Sequence, residues 1–208
     1  MVRPVSASLI SAGLISASDA SLSPDGRYRW WLHRRWATEG GSLLFIGLNP
    51  SKADAQTDDP TLRRLIGFAK CWGYGELLVL NLFARRSPHP AALRTVTDPV
   101  GDRNDAVLLE QAERWSCQPT VDLWLGWGAQ GTLHQRNRRV LQLLDPFRSR
   151  RRRQFMRARG ALTLGMTRSG QPRHPLYARG DATLDPMVWA ESGVIRHPEF
   201  TPPGPRSY

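Results

Sequence analysis

Four short apolar segments constrain the fold of this chain more than any other feature. They are SLLFIGLN (42–49), ELLVLNLF (76–83), VDLWLGWG (121–128) and ALTLGMT (161–167), each bounded by Gly, Pro or polar residues. Their hydrophobicity is continuous rather than alternating, which is typical of strands that are covered on both faces. Such strands occur in parallel sheets that lie between two layers of helices.

Segments with helical periodicity separate these strands. The first, 59–73, begins with Asp-Pro-Thr, which suits a helix N-terminus, and it ends at Gly73. The segments 102–116 and 129–145 also place apolar residues three and four positions apart. Strands that alternate with helices predict a three-layer α/β/α domain around a central four-stranded, mainly parallel sheet.

The remaining segments are less regular. YRWWLHRRW (28–36) predicts a strand or short helix that packs its tryptophans at the edge of the sheet. We expect a single domain over residues 1–208, with an N-terminal arm at 1–25, an Arg-rich loop at 147–160 and a Pro-rich tail at 198–208.

Composition excludes several classes of protein. The chain has 208 residues, enough for one hydrophobic core, and no segment approaches the roughly 20 apolar residues that cross a bilayer. Its cysteines, Cys71 and Cys117, show neither a disulfide framework nor metal-binding spacing, which predicts a cytoplasmic protein. We therefore expect no membrane partner, no metal and no cofactor, and we expect a monomer.

The charge of the chain points to a polyanionic partner. The net charge is +11, and it comes almost wholly from arginine, since Lys52 and Lys70 are the only lysines. Guanidinium groups bind phosphate bidentately and stack on bases, so this surplus favours single- or double-stranded DNA as the partner. A high-GC coding bias would explain the ratio of arginine to lysine, but it would not explain the net charge.

Polar residues follow each of the four predicted strands. In an open α/β sheet, ligands bind beyond the carboxyl ends of the strands, so these residues are candidates for one site. Each residue also has an ordinary structural interpretation when it is considered alone: Asn49 as a turn residue, Asn81 as a buried amide and His174 as a surface residue. The candidates are Asn49, Pro50, Ser51, Asn81, Phe83, Arg85, Arg86, Trp127, Arg173, His174 and Tyr177.

The acidic pair in the segment DDPT has two interpretations. Asp58 and Asp59 precede Pro60 and Thr61, where at least one of them suits the N-cap of a helix. Either carboxylate could instead serve as a general base in the site.

Several motifs resemble those of the uracil-DNA glycosylase superfamily. They are GLNPS, LLVLNLF, LWLGWGAQ and HPLY, within the span Leu43 to Tyr177. The resemblance implies a glycosylase-like fold in which Asn49 positions the hydrolytic water. It further implies that Asn81 binds the edge of the base and that His174 stabilises the departing base.

The sequence departs from that superfamily in two places. Tyr177 stands where the motif usually has small polar residues, and no aromatic residue follows Asn49 to stack on the base. Phe83, Trp127 and Tyr177 are candidates for that stacking contact. A wider set of motifs, from YRWWLHRRW to GQPRHPLY, is similar to a family of bacterial and phage proteins defined as a domain of unknown function (DUF1643).

Together these features predict an enzyme that hydrolyses the N-glycosidic bond of uracil or a modified base in DNA. Two alternatives remain: a non-catalytic module that binds a nucleotide or modified base, and an enzyme that acts on free nucleosides or nucleotides. We expect catalysis from Asn49, His174 and Asp58 or Asp59, and base contacts from the other candidates. The predicted phosphate contacts are Arg85, Arg86, Arg148, Arg150, Arg151, Arg152, Arg153 and Arg173.

Overall fold

The computed structural model describes residues 17–196. Residues 1–16 and 197–208 lie outside the described part, and with them most of the predicted N-terminal arm and the predicted Pro-rich tail. Within residues 17–196, no helix is long and apolar enough to cross a membrane.

A seven-stranded sheet runs through the described residues. Its strands are β1 (Ala17–Leu22), β2 (Arg29–Arg35), β3 (Ser42–Gly47), β4 (Glu76–Asn81), β5 (Val121–Leu125), β6 (Ala161–Thr163) and β7 (Asp185–Pro186). Their spatial order is β1-β2-β4-β3-β5-β6-β7. Strands β3, β4, β5 and β6 are parallel to one another, whereas β1, β2 and β7 pair antiparallel at the two sides. A separate pair is formed by β8 (Val188–Trp189) and β9 (Ile195–Arg196).

The α/β class and the mainly parallel centre of the sheet are confirmed, but the prediction of four strands is wrong. The four predicted apolar segments form β3 to β6, and the aromatic and basic segment forms β2. The structure adds β1 and β7, which have sequences ASDASL and DP and no fully buried residue. Edge strands of this kind lack continuous hydrophobicity, because only the inner strands are covered on both faces. Residues 17–22 also belong to the sheet rather than to an arm.

Within residues 17–196, three α-helices cover the two faces of the sheet: α1 (Pro60–Cys71), α2 (Asn104–Cys117) and α3 (Arg136–Gln154). Alternate residues of each strand point to opposite faces. Leu43 and Phe45 pack in the cluster that contains the buried side chains of α1, and Leu44 and Ile46 pack in the cluster of α2 and α3. The structure therefore has helices on both sides of the sheet.

Asp59 begins α1, as one of the two interpretations of DDPT predicts. Its side chain accepts a hydrogen bond from the backbone N–H of Leu62 (2.8 Å), and Pro60 occupies the first turn, where its missing N–H has no cost. The helix ends before Gly73, which has φ +84°. Asp58 instead accepts hydrogen bonds from Nε and Nη2 of Arg34 (3.0 and 2.8 Å).

The predicted Arg-rich loop is wrong over residues 147–154, because α3 continues through Pro146 to Gln154. Arg151 is 2% exposed and donates hydrogen bonds to the backbone carbonyls of Trp115 and Gln118 (2.8 Å to the latter). These carbonyls, together with Asp122, compensate its charge. Arg148 and Arg150 pair with Asp145 and Glu113. Because these ion pairs reduce the repulsion among the arginines, α3 remains helical to Gln154.

The connections of the sheet define where a ligand is expected to bind. The chain leaves β3 through α1 to reach β4 on one side, and it leaves β5 through α3 to reach β6 on the other side. The two loops diverge at the neighbouring carboxyl ends of β3 and β5. In open α/β sheets such a switch point opens a crevice in which ligands bind.

A buried ionic network lies at the amino ends of the parallel strands, away from this crevice. Glu76, at the start of β4, contacts His33 and Arg114 (2.6 Å from its Oε1 to Arg114 Nη2) and the hydroxyl of Ser42. Burial alone would raise the pKa of Glu76, but its hydrogen bonds with His33, Ser42 and Arg114 outweigh that effect and lower the pKa to about 2. The carboxylate is therefore more stable in the folded chain than in the unfolded one.

This depressed pKa predicts that Glu76 stabilises the fold above pH 4.5, its ordinary pKa, and that the contribution is lost as the pH falls toward 2. The contribution is on the order of 3 kcal/mol. Urea unfolding measures the free energy of unfolding of the wild type and of Glu76→Gln at pH 6 and at pH 3. The decrease in this free energy from pH 6 to pH 3 should be smaller in the variant. An identical loss in both proteins would contradict the assignment.

Candidate functional site

A cavity of about 480 Å³ opens at the carboxyl ends of β3 and β4. Part of its lining is apolar and buried, with Leu32, Phe45 and Val79 from the sheet and Leu62 and Leu65 from α1. Polar side chains from four separate segments converge on this lining. An apolar pocket of this size with a few convergent polar groups is the usual form of a small-molecule site.

Asn81 reaches the cavity because of the alternation along β4. Leu77 and Val79 face the α1 layer, and Asn81 continues the same face at the end of the strand. The Asn81 side chain is 4% exposed, and within the described residues neither its amide nitrogen nor its amide oxygen has a hydrogen-bond partner. A buried amide without partners is costly unless a ligand or water satisfies it.

Gly47 leaves room beside Asn81. A Cβ atom at Gly47 would lie 3.2 Å from Asn81 Oδ1 and 2.9 Å from a ring carbon of Phe45. A side chain at this position would therefore collide with the aromatic lining of the cavity and crowd the amide. The glycine at the end of β3 keeps this part of the cavity open.

Asn49 joins the loops that follow β3 and β4. Its Nδ2 donates hydrogen bonds to the carbonyls of Pro50 and Ser87, both at 2.9 Å, and the N–H of Ser87 returns a bond to the carbonyl of Pro50. The amide nitrogen is thus structural, as in the turn interpretation. Its Oδ1 accepts no hydrogen bond from the described residues, and Asn49 lines the cavity. The oxygen is available to a water or a ligand.

Asp59 and Ser51 lie together in the lining. Asp59 Oδ2 accepts a hydrogen bond from the Ser51 hydroxyl, while its Oδ1 caps α1. Burial acts to raise the pKa of Asp59, but the hydrogen bonds from Ser51 and two backbone N–H groups, with the charge of Arg29, hold the pKa below its ordinary value. The group is a carboxylate at neutral pH, and both of its oxygens already accept hydrogen bonds.

His174 is a neutral hydrogen-bond donor. Its Nδ1 accepts a hydrogen bond from the backbone N–H of Leu176 (3.3 Å), so the neutral ring carries its proton on Nε2. Burial lowers the pKa of His174 to about 4, although the charge of Asp59 acts in the other direction. Gly128, with φ +73°, lies against this residue, where a Cβ atom would be 3.3 Å from the His174 Cβ.

Arg29, at the start of β2, is a cavity residue that the sequence analysis missed. It is 4% exposed, and its Nη1 donates a hydrogen bond to the carbonyl of Ala53 (2.8 Å). Burial lowers the pKa of Arg29 to about 10, and Asp59 partly offsets this effect, so the group remains charged at neutral pH. In the sequence it stands among tryptophans and other arginines, so nothing in the local pattern distinguishes it from the other basic residues of β2.

Of the other predicted base contacts, Trp127 and Tyr177 line the cavity, but Phe83 and Pro50 do not. Trp127 is 1% exposed, and its Nε1 donates to Gln171 Oε1 (3.0 Å). Tyr177 is 80% exposed, at the rim. Phe83 packs against His134 in the core on the α2 and α3 side, because β4 ends at Asn81 and the strand alternation no longer holds at residue 83.

A second hollow lies beside the cavity and shares Ser51, Ser87 and Pro88 with it. The other described residues that line it are Gly26 and four cations, Arg27, Lys52, Arg85 and Arg86. We call these eight residues the basic hollow. Two of the predicted phosphate contacts, Arg85 and Arg86, therefore lie next to the cavity.

The structure does not bring the arginine run of α3 to the site. Arg151 contacts the end of α2 and the start of β5, which places the C-terminal end of α3 at the amino ends of the parallel strands. The cavity is at their carboxyl ends. Arg173 is exposed in the loop before His174, and it does not line the cavity. Asp58 also lies outside the lining, in its pair with Arg34.

A comparison with protein families identifies the chain. The family described as "Protein of unknown function (DUF1643)" matches residues 29–176, well over half of the chain. The chain belongs to this family. The segment that matches the DUF1643 family contains every described residue of the cavity except Tyr177. Searches of curated proteins and of solved structures found no match.

The described part of this DUF1643 protein shows no arrangement of side chains that suits a metal ion. Within residues 17–196, no cluster of three or more His, Cys, Asp or Glu is placed to hold a metal ion. The cavity instead combines an apolar lining with an amide, a neutral imidazole and a guanidinium. These groups can bind a planar ring that carries oxygen or nitrogen acceptors.

The geometry of His174 predicts an NMR titration. The imidazole should titrate with a midpoint near 4 and should hold its proton on Nε2 at pH 7, because burial disfavours the charged ring. Nitrogen-15 shifts of the imidazole measured between pH 3 and pH 8 test both statements. A midpoint near the ordinary value of 6.5 would show that the ring is solvated and would remove the neutral-donor role.

Proposed function

We propose that this protein binds a nucleobase in the cavity and hydrolyses its N-glycosidic bond in DNA. The observation that carries the proposal is the convergence of Asn49, Asn81 and His174, from three distant segments, on one partly apolar cavity. The motifs around these residues resemble those of the uracil-DNA glycosylase superfamily. The DUF1643 family description itself names no activity.

The lining suits a planar base. Phe45 and Val79 offer apolar contact, and the amide of Asn81 presents a donor and an acceptor without internal partners. A pyrimidine edge carries both kinds of group, so Asn81 can discriminate between bases. Reaching the cavity requires the base to leave the duplex stack, at a cost of a few kcal/mol.

The proposed reaction divides between two residues. As the bond from C1′ of the sugar to the base breaks, its electron pair stays with the base, and the oxygen of a water forms the new bond to C1′. Asn49 Oδ1 accepts a hydrogen bond from that water and orients it. His174 Nε2–H donates to the base oxygen on which negative charge develops. The water loses one proton, which finally neutralises the released base.

The neutral state of His174 suits this role. A neutral donor strengthens its hydrogen bond as the acceptor becomes negative, without needing a proton from solvent. One preorganised donor of this kind contributes about 3–4 kcal/mol to the lowering of a barrier. The donor is held by the hydrogen bond to Nδ1, which fixes the tautomer.

DNA is proposed as the partner because of the basic hollow. Its cations adjoin the cavity through Ser51 and Ser87, which line both the hollow and the cavity. Phosphates that flank an extruded nucleotide would lie along this surface. The net charge of +11 adds a general attraction to polyanions.

The catalytic proposal is tested with DNA that contains uracil or modified bases. The wild type should release a base from single- or double-stranded oligonucleotides, and His174→Ala and Asn49→Ala should each lower the rate by roughly 10²-fold. Circular dichroism and thermal melting serve as controls for folding, which Asn49→Ala in particular requires, since Nδ2 joins two loops. If the wild type releases nothing from a broad panel of bases, the hydrolase is excluded.

The binding surface is tested by salt dependence. For wild-type protein and duplex DNA, the logarithm of the binding constant should fall with the logarithm of salt concentration, by about 0.9 per phosphate contact. Arg85→Gln/Arg86→Gln should reduce this slope, because it removes two cations of the basic hollow. The matched control, Arg152→Gln/Arg153→Gln, removes two exposed charges at the far end of α3 and should leave the slope unchanged. If the slope falls in the Arg152→Gln/Arg153→Gln variant and not in the Arg85→Gln/Arg86→Gln variant, DNA binds at the end of α3 instead.

One observation favours a non-catalytic binding module as the second candidate. Both oxygens of Asp59, the only carboxylate among the described residues that line the cavity, already accept hydrogen bonds. A module that binds a nucleotide or modified base needs no general base. It would show measurable affinity for the ligand, no turnover, and no release of base by any variant.

A further inference from the structure

Four arginines are buried among the described residues, and Arg29 differs from the other three. Arg34 lies 2.8 Å from Asp58, Arg136 pairs with Asp105, and Arg151 lies 3.4 Å from Asp122. Within residues 17–196, no carboxylate lies within 4.0 Å of the Arg29 guanidinium. It is also the only one of the four that lines the cavity.

The hydrogen bonds of Arg29 are incomplete as well. A guanidinium has five N–H donors. Among the described residues, only the carbonyl of Ala53 accepts one of them, and Nε is buried without a partner. A buried cation is costly when it lacks both an opposite charge and hydrogen-bond acceptors.

Such an arrangement is typical of a ligand-binding residue. The three paired arginines hold elements of the fold together, and their charges are balanced inside the protein. Arg29 keeps free donors beside a cavity in which the Nδ2 of Asn81 and the Nε2–H of His174 are also donors without a partner among the described residues. A ligand with an anionic or electron-rich oxygen would supply the missing acceptor. The negative charge of Asp59 is nearby, but its oxygens are already bonded to Ser51 and to the start of α1.

We propose that Arg29 is the anion-recognition residue of the cavity, and that it binds an anionic or strongly polarised oxygen on the ring of the ligand. The proposal rests on the proposed function for the identity of that ligand as a nucleobase. In hydrolysis, the electron pair of the broken bond delocalises to a ring oxygen, and Arg29 stabilises it together with His174. A ring that carries an acidic group, such as a carboxylated pyrimidine, would meet the same guanidinium before any reaction.

The experiment compares an anionic pyrimidine, 6-carboxyuracil, with its neutral parent uracil and with cytosine. Binding to the wild type is measured by NMR titration, with the Nε–H signal of Arg29 as a local reporter. The carboxylated ring should bind most tightly. Arg29→Gln should weaken its binding by about tenfold or more, because it removes a charged hydrogen bond, and Arg29→Lys should restore part of the affinity. Binding of cytosine should change little.

Arg34→Gln is the matched control. It removes a buried arginine from the same strand, but one whose charge is balanced by Asp58. This variant should lower the melting temperature and leave the affinity for 6-carboxyuracil unchanged. Arg29→Gln should show the opposite pattern, with weaker binding and little loss of melting temperature, because none of the described carboxylates forms an ion pair with Arg29.

The outcomes separate this inference from the proposed function. Binding of 6-carboxyuracil that depends on Arg29, without release of any base from DNA, supports the anion site and excludes the hydrolase. Base release at an unchanged rate in Arg29→Gln supports the hydrolase and overturns the role of Arg29. The inference also fails if 6-carboxyuracil binds no better than uracil, or if Arg29→Gln only lowers the melting temperature as Arg34→Gln does.

Discussion

The burial of four parallel strands between two helical layers is the constraint on which the rest of the structure depends. Because both faces of β3, β4, β5 and β6 are covered, any polar side chain on them must be bonded inside the protein or must face a cavity. Glu76 and Asn81, the first and last residues of β4, show the two solutions. Glu76 is bonded to Ser42, His33 and Arg114, whereas Asn81 has no internal partner and lines the cavity.

The amino ends and the carboxyl ends of the parallel strands therefore differ in their chemistry. At the amino ends of the strands, Glu76 and Asp122 are matched by Arg114 and Arg151 within a network of hydrogen bonds. At the carboxyl ends, Arg29, Asn81 and His174 keep donors that the described protein groups do not satisfy. The matched charges at the amino ends stabilise the fold, whereas the unsatisfied donors at the carboxyl ends cost stability unless a ligand or water accepts hydrogen bonds from them. This difference is expected where a site is preorganised for a ligand that the protein itself does not contain.

The sequence predicted the centre of the fold better than its periphery. Continuous apolar segments located β3 to β6, and helix-capping chemistry located the start of α1 at Asp59, because these signals are local. The edge strands β1 and β7 were missed, since short polar edges carry no comparable pattern. The segment 147–160 was predicted to be an Arg-rich loop, but residues 147–154 continue α3. Within this helix, Arg151 donates to the carbonyls of Trp115 and Gln118, at the end of α2, and pairs with the carboxylate of Asp122 in β5, all of which are distant in the sequence.

By itself, the sequence determined the alternation of strands and helices, the family, and the position of Asn49, Asn81 and His174 at the ends of buried segments. Local propensity and hydrophobic periodicity are properties of neighbouring residues, so they can be recognised along the chain. Only the tertiary structure decided which polar groups share the cavity, that Phe83 faces the opposite core, and that Arg29 is buried without a carboxylate. These facts depend on strand register and on which face of the sheet each side chain occupies, and a sequence does not contain the distances between segments.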